Sequence, residues 1–182
     1  MKEIQIRKND AGQRLDRFVG KAVPLLPESL LQKYIRLKRI KRNGKGAKRD
    51  VRLVEGDVLQ LYINDEFFER PTEENAWLKI ATPRLDIVYE DENILLADKK
   101  PGVLCHSAGE WSWDTLISNI QAYLRQSGEW DPKAENAFTP ALCNRIDRNT
   151  GGIVIAAKNA EALRILNDKI RDREIDKAYL LS

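Results

Sequence analysis

LDIVYEDENILLA, residues 85–97, reads as two short apolar strands, 85–89 and 94–97, around the polar turn Glu90-Asp91-Glu92-Asn93. Strands this close in sequence pair as an antiparallel hairpin, since a parallel pair needs a crossover of about a dozen residues. Downstream comes the loop Lys99-Lys100-Pro101-Gly102. Asp114 is the expected N-cap of a helix in which Leu116, Ile117, Ile120 and Leu124 share one face. Residues 143–146 read as a short strand or bend, and 152–157 as an apolar strand. Asn159 is the expected cap of a helix that turns Ala162, Leu163, Leu166 and Ile170 inward, and 175–181 reads as a last strand. An α+β domain on a mainly antiparallel sheet follows for residues 84–182.

Upstream the pattern changes. Leu15, Phe18, Val19 and Ala22 recur at helical spacing, and beyond Pro24 and Pro27 so do Leu30, Leu31, Tyr34 and Ile35. Residues 39–42, an Asn43-Gly44 turn, residues 51–53, a turn at 55–57 and a strand at 58–63 complete a helix-helix-sheet unit over residues 1–64. Residues 65–83 mix Asp65, Glu66, Glu69, Glu73 and Glu74 with Phe67, Phe68 and Trp77, between the breakers Pro71 and Pro83. They read as a linker, with docking of their aromatics on a neighbouring domain as the alternative.

The chain has 182 residues, 42% of them hydrophobic, enough for one medium domain or two small ones. No apolar run reaches bilayer-spanning length and the N-terminus lacks a signal peptide's apolar centre, so a cytoplasmic protein without membrane association is expected. Cys105 and Cys143 have no paired CxxC spacing, which argues against a disulfide framework or a zinc site and for buried free thiols. Net charge is only +3, but its distribution is uneven. Lys33, Arg36, Lys38, Arg39, Lys41, Arg42, Lys45, Lys48, Arg49 and Arg52 crowd one stretch, opposed within it only by Asp50. Such a patch neutralises phosphates and releases counterions, which favours nucleic acid over a solvated helix face.

Residues 144–152, NRIDRNTGG, set Asp147 between Arg145 and Arg148 ahead of paired glycines that permit a sharp turn. Neighbouring positive charge lowers a carboxylate's pKa, suiting Asp147 to a nucleophile or base and not to a general acid. The alternative is an aspartate that bonds its own backbone at a turn. Cys105 and His106 are poor candidates for a catalytic pair, since adjacent residues on an extended chain point to opposite sides. The Trp111-Ser112-Trp113 cluster reads as core closure more than base stacking, and Lys99 and Lys100 lean towards phosphate contact.

Over residues 12–63, QRLDRFV, LPESLLQKYIRLKRIKRNGK and VRLVEGDVLQLYI resemble the RNA-binding module named after small-subunit ribosomal protein S-four. In that family the second helix and the following loop face RNA, which implies RNA contact by Lys33, Arg36, Lys38, Arg39, Lys41, Arg42 and Lys45. RIDRNTGGIVIAAK resembles the signature of the RluA class of pseudouridine synthases, YEDENILLADKKPGVLCHS its preceding motif and IDKAYL its third element. The resemblance implies isomerisation of uridine in structured RNA, with large-subunit ribosomal RNA as the expected substrate. Asp147 takes the catalytic aspartate's position, Tyr179 that of the aromatic residue packing on the target base, and Arg145 that of the arginine filling the stack vacated by the flipped nucleotide. Flipping costs a few kcal/mol, of which stacking on Tyr179 can return roughly 1–3 kcal/mol. The class implies no cofactor, no metal and a monomer. It has His, Asp and Ser where this chain has Asn144, Asn149 and Gly151, which bears on how Asp147 is positioned. Its catalytic domain also continues past the point matched by Ser182, including a basic residue that pairs with the aspartate. The domain is therefore expected to be incomplete in these 182 residues, and a non-catalytic RNA binder or inactive fragment is the alternative. An unrelated hydrolase would need a second carboxylate beside Asp147, and none is evident.

Overall fold

The computed structural model describes residues 1–108 and 111–179. It divides into two compact units, Met1–Ala81 and Thr82–Ser182.

In the first unit, α1 (Leu15–Ala22) and α2 (Glu28–Arg36) accompany an antiparallel sheet of β2 (Ile40–Arg42), β3 (Lys45–Gly46), β4 (Val58–Leu61) and a strand not foreseen, β1 (Lys2–Gln5). The order is β1-β4-β2-β3. Leu15, Phe18 and Val19 of α1 and Leu31, Tyr34 and Ile35 of α2 are buried with Ile40, Leu59 and Leu61 of the sheet, in the faces expected from their spacing. Asn43 and Gly44 have φ of 51° and 81°, the two positive angles that a type I′ hairpin turn requires.

Residues 51–53 form a single bridge, Arg52 with Arg14, in place of a full strand. Their backbone is spent on the entry to α1: Leu15 donates to the Val51 carbonyl at 2.9 Å, and Gly12 to that of Leu53 at 2.8 Å.

Residues 65–83, expected to be a linker, are largely packed. Two 3-10 helices occur, Asp65–Phe68 and Glu73–Lys79. Phe67 is buried in the first unit's core, Phe68 and Leu78 pack against it, and Lys79 donates to the Leu26 carbonyl at 2.9 Å. Apolar side chains outweighed the breakers, and the division between units falls after Ala81.

The second unit carries the sheet β5-β6-β8-β7, antiparallel throughout: β5 (Ile87–Glu90), β6 (Ile94–Lys99), β7 (Ala141–Leu142) and β8 (Gly152–Ala157). The hairpin turn is held by Asp91, whose carboxylate accepts from the amides of Asn93 and Ile94 at 2.8 and 2.9 Å. The helix α3 (Leu116–Gln126) buries Leu116, Ile117, Ile120 and Leu124. Its N-cap is Thr115, which accepts from the Ser118 amide; Asp114 lies one residue too early and binds Asn119 and Arg84 instead.

The helix α4 (Ala160–Arg171) is capped by Asn159 as expected, but of its expected inward residues Ala162 alone is fully buried. Leu163, Leu166 and Ile170 are half-covered. The expected strand at 175–181 is absent over 175–179, which pair with no strand among the described residues, and 180 and 181 lie outside those residues.

Candidate active site

Asp147 sits in the loop between β7 and β8, with its side chain exposed. Nearly every tie holding this loop runs through backbone. Asn144 fastens its start to β8, accepting from the Ile155 amide at 2.8 Å and donating to the Ile153 carbonyl at 3.3 Å, while Cys143 donates to the Ile155 carbonyl at 2.7 Å. The departure at Asn144 thus supplies a donor and an acceptor to the edge of a strand. Thr150 closes the far side by donating to the Asp147 carbonyl at 3.0 Å.

The loop rests on the turn after β6. Gly102 donates to the Arg148 carbonyl at 2.7 Å, and Arg148 returns a bond from Nε to the Gly102 carbonyl at 3.3 Å. A Cβ on Gly151 would lie 3.1 Å from Pro101 Cδ and 3.3 Å from the Lys99 carbonyl, so the departure at Gly151 allows a closer approach.

Arg145 is exposed on the same loop. Neither it nor Arg148 forms an ion pair with Asp147 within 4.0 Å, so adjacency in sequence does not become contact. The Asp147 carboxylate accepts no hydrogen bond from any described residue, those of its own turn included. Tyr179 is 63% exposed, and among the described residues no hydrogen bond or ring contact joins it to the Asp147 loop. Arg145 and Asp147 share the loop between β7 and β8, and Tyr179 lies outside it.

Sequence reading misplaced Lys99. Leu95, Ala97 and Lys99 alternate onto the buried face of β6, and Lys99 is 1% exposed, out of reach of a phosphate. Its ammonium donates to the carbonyls of Lys100, Val103 and Arg148. Burial lowers its pKa, partly offset by attraction to Cys105 and Asp147. The two-residue period of β6 was the available signal. Lys100 is exposed but paired with Asp86 and Asp98 at 3.0 Å each, along a groove of about 560 Å³ that Arg84, Asp114 and Arg148 also line.

Cys105 is buried with Sγ 3.5 Å from the Ile146 carbonyl, an orientation without nucleophilic use. Burial pushes the Cys143 thiol up to about 11 against a smaller opposing pull from the Ala157 amide, leaving it unreactive near neutrality. Trp111 is exposed and Trp113 half-buried. Among the described residues, no group of three or more His, Cys, Asp or Glu could hold a metal ion, and no helix is long and apolar enough to cross a membrane.

In the first unit, Lys33, Arg36, Lys38, Lys45, Lys48 and Arg49 are exposed. Two grooves of about 630 and 530 Å³ share Lys48; Arg36, Lys38 and Arg49 line one, Arg42 and Lys45 the other. Three of the expected RNA-facing residues are more committed. Arg39 lies 4.5 Å from the Tyr34 ring centroid, Lys41 5.5 Å from that of Tyr62, and Arg42 Nε is 2.8 Å from Asp57.

Asp147 is thus an exposed carboxylate on a loop pinned largely through its neighbours' backbone. Residues 93–182 match the family described as RNA pseudouridylate synthase. An uncharacterized RNA pseudouridine synthase of Mycoplasma genitalium is 31% identical over 96% of this chain and 53% of its own length. Another, of Mycoplasma capricolum, is 33% identical over 98% and 58%. Ribosomal large subunit pseudouridine synthase C of Escherichia coli is 28% identical over 99% and 53%. The chain thus spans somewhat more than half the length of these relatives. A crystal structure of a pseudouridylate synthase aligns at 19% identity over 84% of this chain and 52% of that one, with a TM-score of 0.26.

Proposed function

We propose that the complete natural protein converts uridine to pseudouridine in structured RNA, with Asp147 as the catalytic carboxylate. The observation that carries this reading is the exposed, unpaired Asp147 on a loop whose sequence falls within the family match. In the reaction the N-glycosidic bond breaks, uracil turns while held, and its carbon 5 joins the ribose. Positive character builds at the sugar as the bond breaks, and a carboxylate stabilises it, attacks it or relieves it by taking a ribose proton. Arg145 fills the gap left by the flipped nucleotide, and Tyr179 packs on the base when RNA is bound. No cofactor or metal takes part.

The first unit is read as an RNA-binding module of the ribosomal protein S-four type. Its helix-helix-sheet order and the exposed Lys33, Arg36, Lys38 and Lys45 support that reading. Large-subunit ribosomal RNA is the proposed substrate, in keeping with the name of the relative in Escherichia coli. The protein is proposed to act as a monomer in the cytoplasm.

The test is Asp147→Ala in the complete protein, assayed for pseudouridine formation on ribosomal RNA. Activity should fall by at least about 10³-fold. Because the side chain is exposed, thermal stability should move by no more than about 0.5 kcal/mol. RNA binding that persists in a wild-type protein forming no pseudouridine on any RNA would replace this reading with that of an RNA binder.

A further inference from the structure

We infer that the solvent face of the first unit's sheet is a stacking platform for an unpaired nucleobase, with the Tyr62 ring as the stacking surface and the Lys41 ammonium set for the adjoining phosphate. The inference rests on the reading of that unit as an RNA-binding module, and it specifies the kind of RNA the module takes.

Strand alternation builds the platform. Leu59, Leu61 and Ile63 turn into the core, so Gln60 and Tyr62 turn to the opposite face. On β2 Ile40 is buried, which turns Lys41 the same way. Lys41 pairs with Gln60, so Tyr62 stands diagonally across from it, within reach of a long side chain, and the ammonium lies 5.5 Å from the ring centroid. Backbone anchors the ring: the Tyr62 amide donates to the Arg39 carbonyl at 2.8 Å, and the Arg39 guanidinium is itself held 4.5 Å from the buried Tyr34 ring.

Tyr62 is 41% exposed, and beside it on this face stand the polar Gln60 and, on β1, Glu3. An open ring offers a π face on which any base can stack, and a cation beside it suits the charge of the backbone that carries the base. Arg42, the residue after Lys41, and Lys45 line the groove of about 530 Å³ at the Asn43-Gly44 turn, so positive charge continues from the ring along β2. Inside an A-form duplex the base faces are covered by their neighbours, so Tyr62 can take only a base from a loop, bulge or end. The exposed cations of this unit suit any phosphate, whereas the ring distinguishes unpaired from paired RNA.

The experiment measures binding of the complete protein to two RNA duplexes of equal length, one fully paired and one with a central bulge of unpaired nucleotides. Wild type should prefer the bulged duplex. Tyr62→Ala should weaken binding of the bulged duplex about tenfold, change that of the paired one by less than about twofold, and leave the salt dependence as it is, since stacking neutralises no phosphate. Tyr62→Phe, which keeps the ring, should match wild type, and Tyr62→Leu, which keeps apolar bulk alone, should fall with Tyr62→Ala. Lys41→Gln should lower the salt slope by about one unit. Ultraviolet crosslinking of wild type to the bulged duplex should leave an adduct on Tyr62, a readout that needs no variant to fold.

Equal losses on the two duplexes, a Tyr62→Leu protein that binds as wild type does, or crosslinks confined to other peptides would overturn the platform. Tight binding of both duplexes that ignores Tyr62 would overturn the platform alone. A wild-type protein that binds neither duplex would overturn it together with the RNA-binding reading of the unit.

Discussion

Gly151 shows how little room lies beneath Asp147. The atoms facing its missing side chain are a proline ring and a backbone carbonyl, neither of which can swing aside. Gly151→Val should therefore push the loop off the turn after β6. A cost of about 1–3 kcal/mol in thermal unfolding is expected, with a fall of at least about tenfold in the complete protein's activity. Unchanged activity would show that the close approach is unimportant. The RIDR core of the loop stands out as a candidate site through its resemblance to the family signature, since an aspartate beside arginines and paired glycines more often just bonds its own backbone. The environment of Asp147 was not legible, because its supports are carbonyls and amides brought from β6 and β8 by the fold.

The elements were readable wherever apolar spacing was dense. The hairpin of β5 and β6, both early helices, α3 and the Asn43-Gly44 turn lie where the sequence puts them. β1 escaped because residues 2–5 contain one apolar residue, Ile4, and its identity as a strand comes from register with β4. The expected final strand failed for the converse reason, since its apolar residues find no paired backbone among the described residues.

A cluster linking three elements was equally invisible. Lys158, directly after β8, is 2.6 Å from Glu90 of β5 and 3.0 Å from Glu129 beyond α3, while Tyr123 of α3 donates to Glu90 at 2.7 Å. Burial alone would raise the Glu90 pKa, but its bonds to Lys158 and Tyr123 hold it below the ordinary value of 4.5. The Glu90 bond pushes Tyr123 up to about 12. Lys158 is also raised: burial works against it, and Glu90 and Glu129 outweigh that.

The signs follow. Glu90, with a depressed folded pKa, contributes stability that is complete above 4.5 and is lost as pH falls through the folded value. Tyr123, raised to about 12, contributes stability that is complete below about 10 and is lost as pH climbs towards that value, and Lys158, also raised, contributes stability that is complete below its ordinary value of 10.5 and is lost as pH rises through its folded value. Glu90→Gln should cost about 2 kcal/mol at pH 7. In thermal unfolding across pH, that difference should shrink below pH 4.5. A difference that stayed constant down to pH 3 would contradict the assignment.

At the scale of the whole molecule, net charge says little and its distribution says much. The two units have separate tasks in this account: the first supplies exposed cations, the second a carboxylate. Changing Lys33, Arg36 and Lys38 together to Glu should weaken RNA binding at every sequence tested. The logarithmic dependence of affinity on salt should lose up to about one unit of slope per phosphate contact removed. Melting of the first unit should barely change, because all three side chains are exposed. An unaltered salt slope would place the RNA elsewhere. The helix-helix-sheet order of this unit was legible from two runs of helical spacing and one NG turn, whereas the packing of residues 65–79 on it was not, since acidic residues and prolines there mask a few well-placed apolar side chains.

The most direct test of the central claim is pseudouridine mapping of ribosomal RNA from cells lacking the gene, complemented with either the complete natural protein or its Asp147→Ala form. A uridine should lose its modification on deletion and regain it only with the unmutated protein. Full restoration by Asp147→Ala, or no site changed by deletion in any RNA, would contradict that claim.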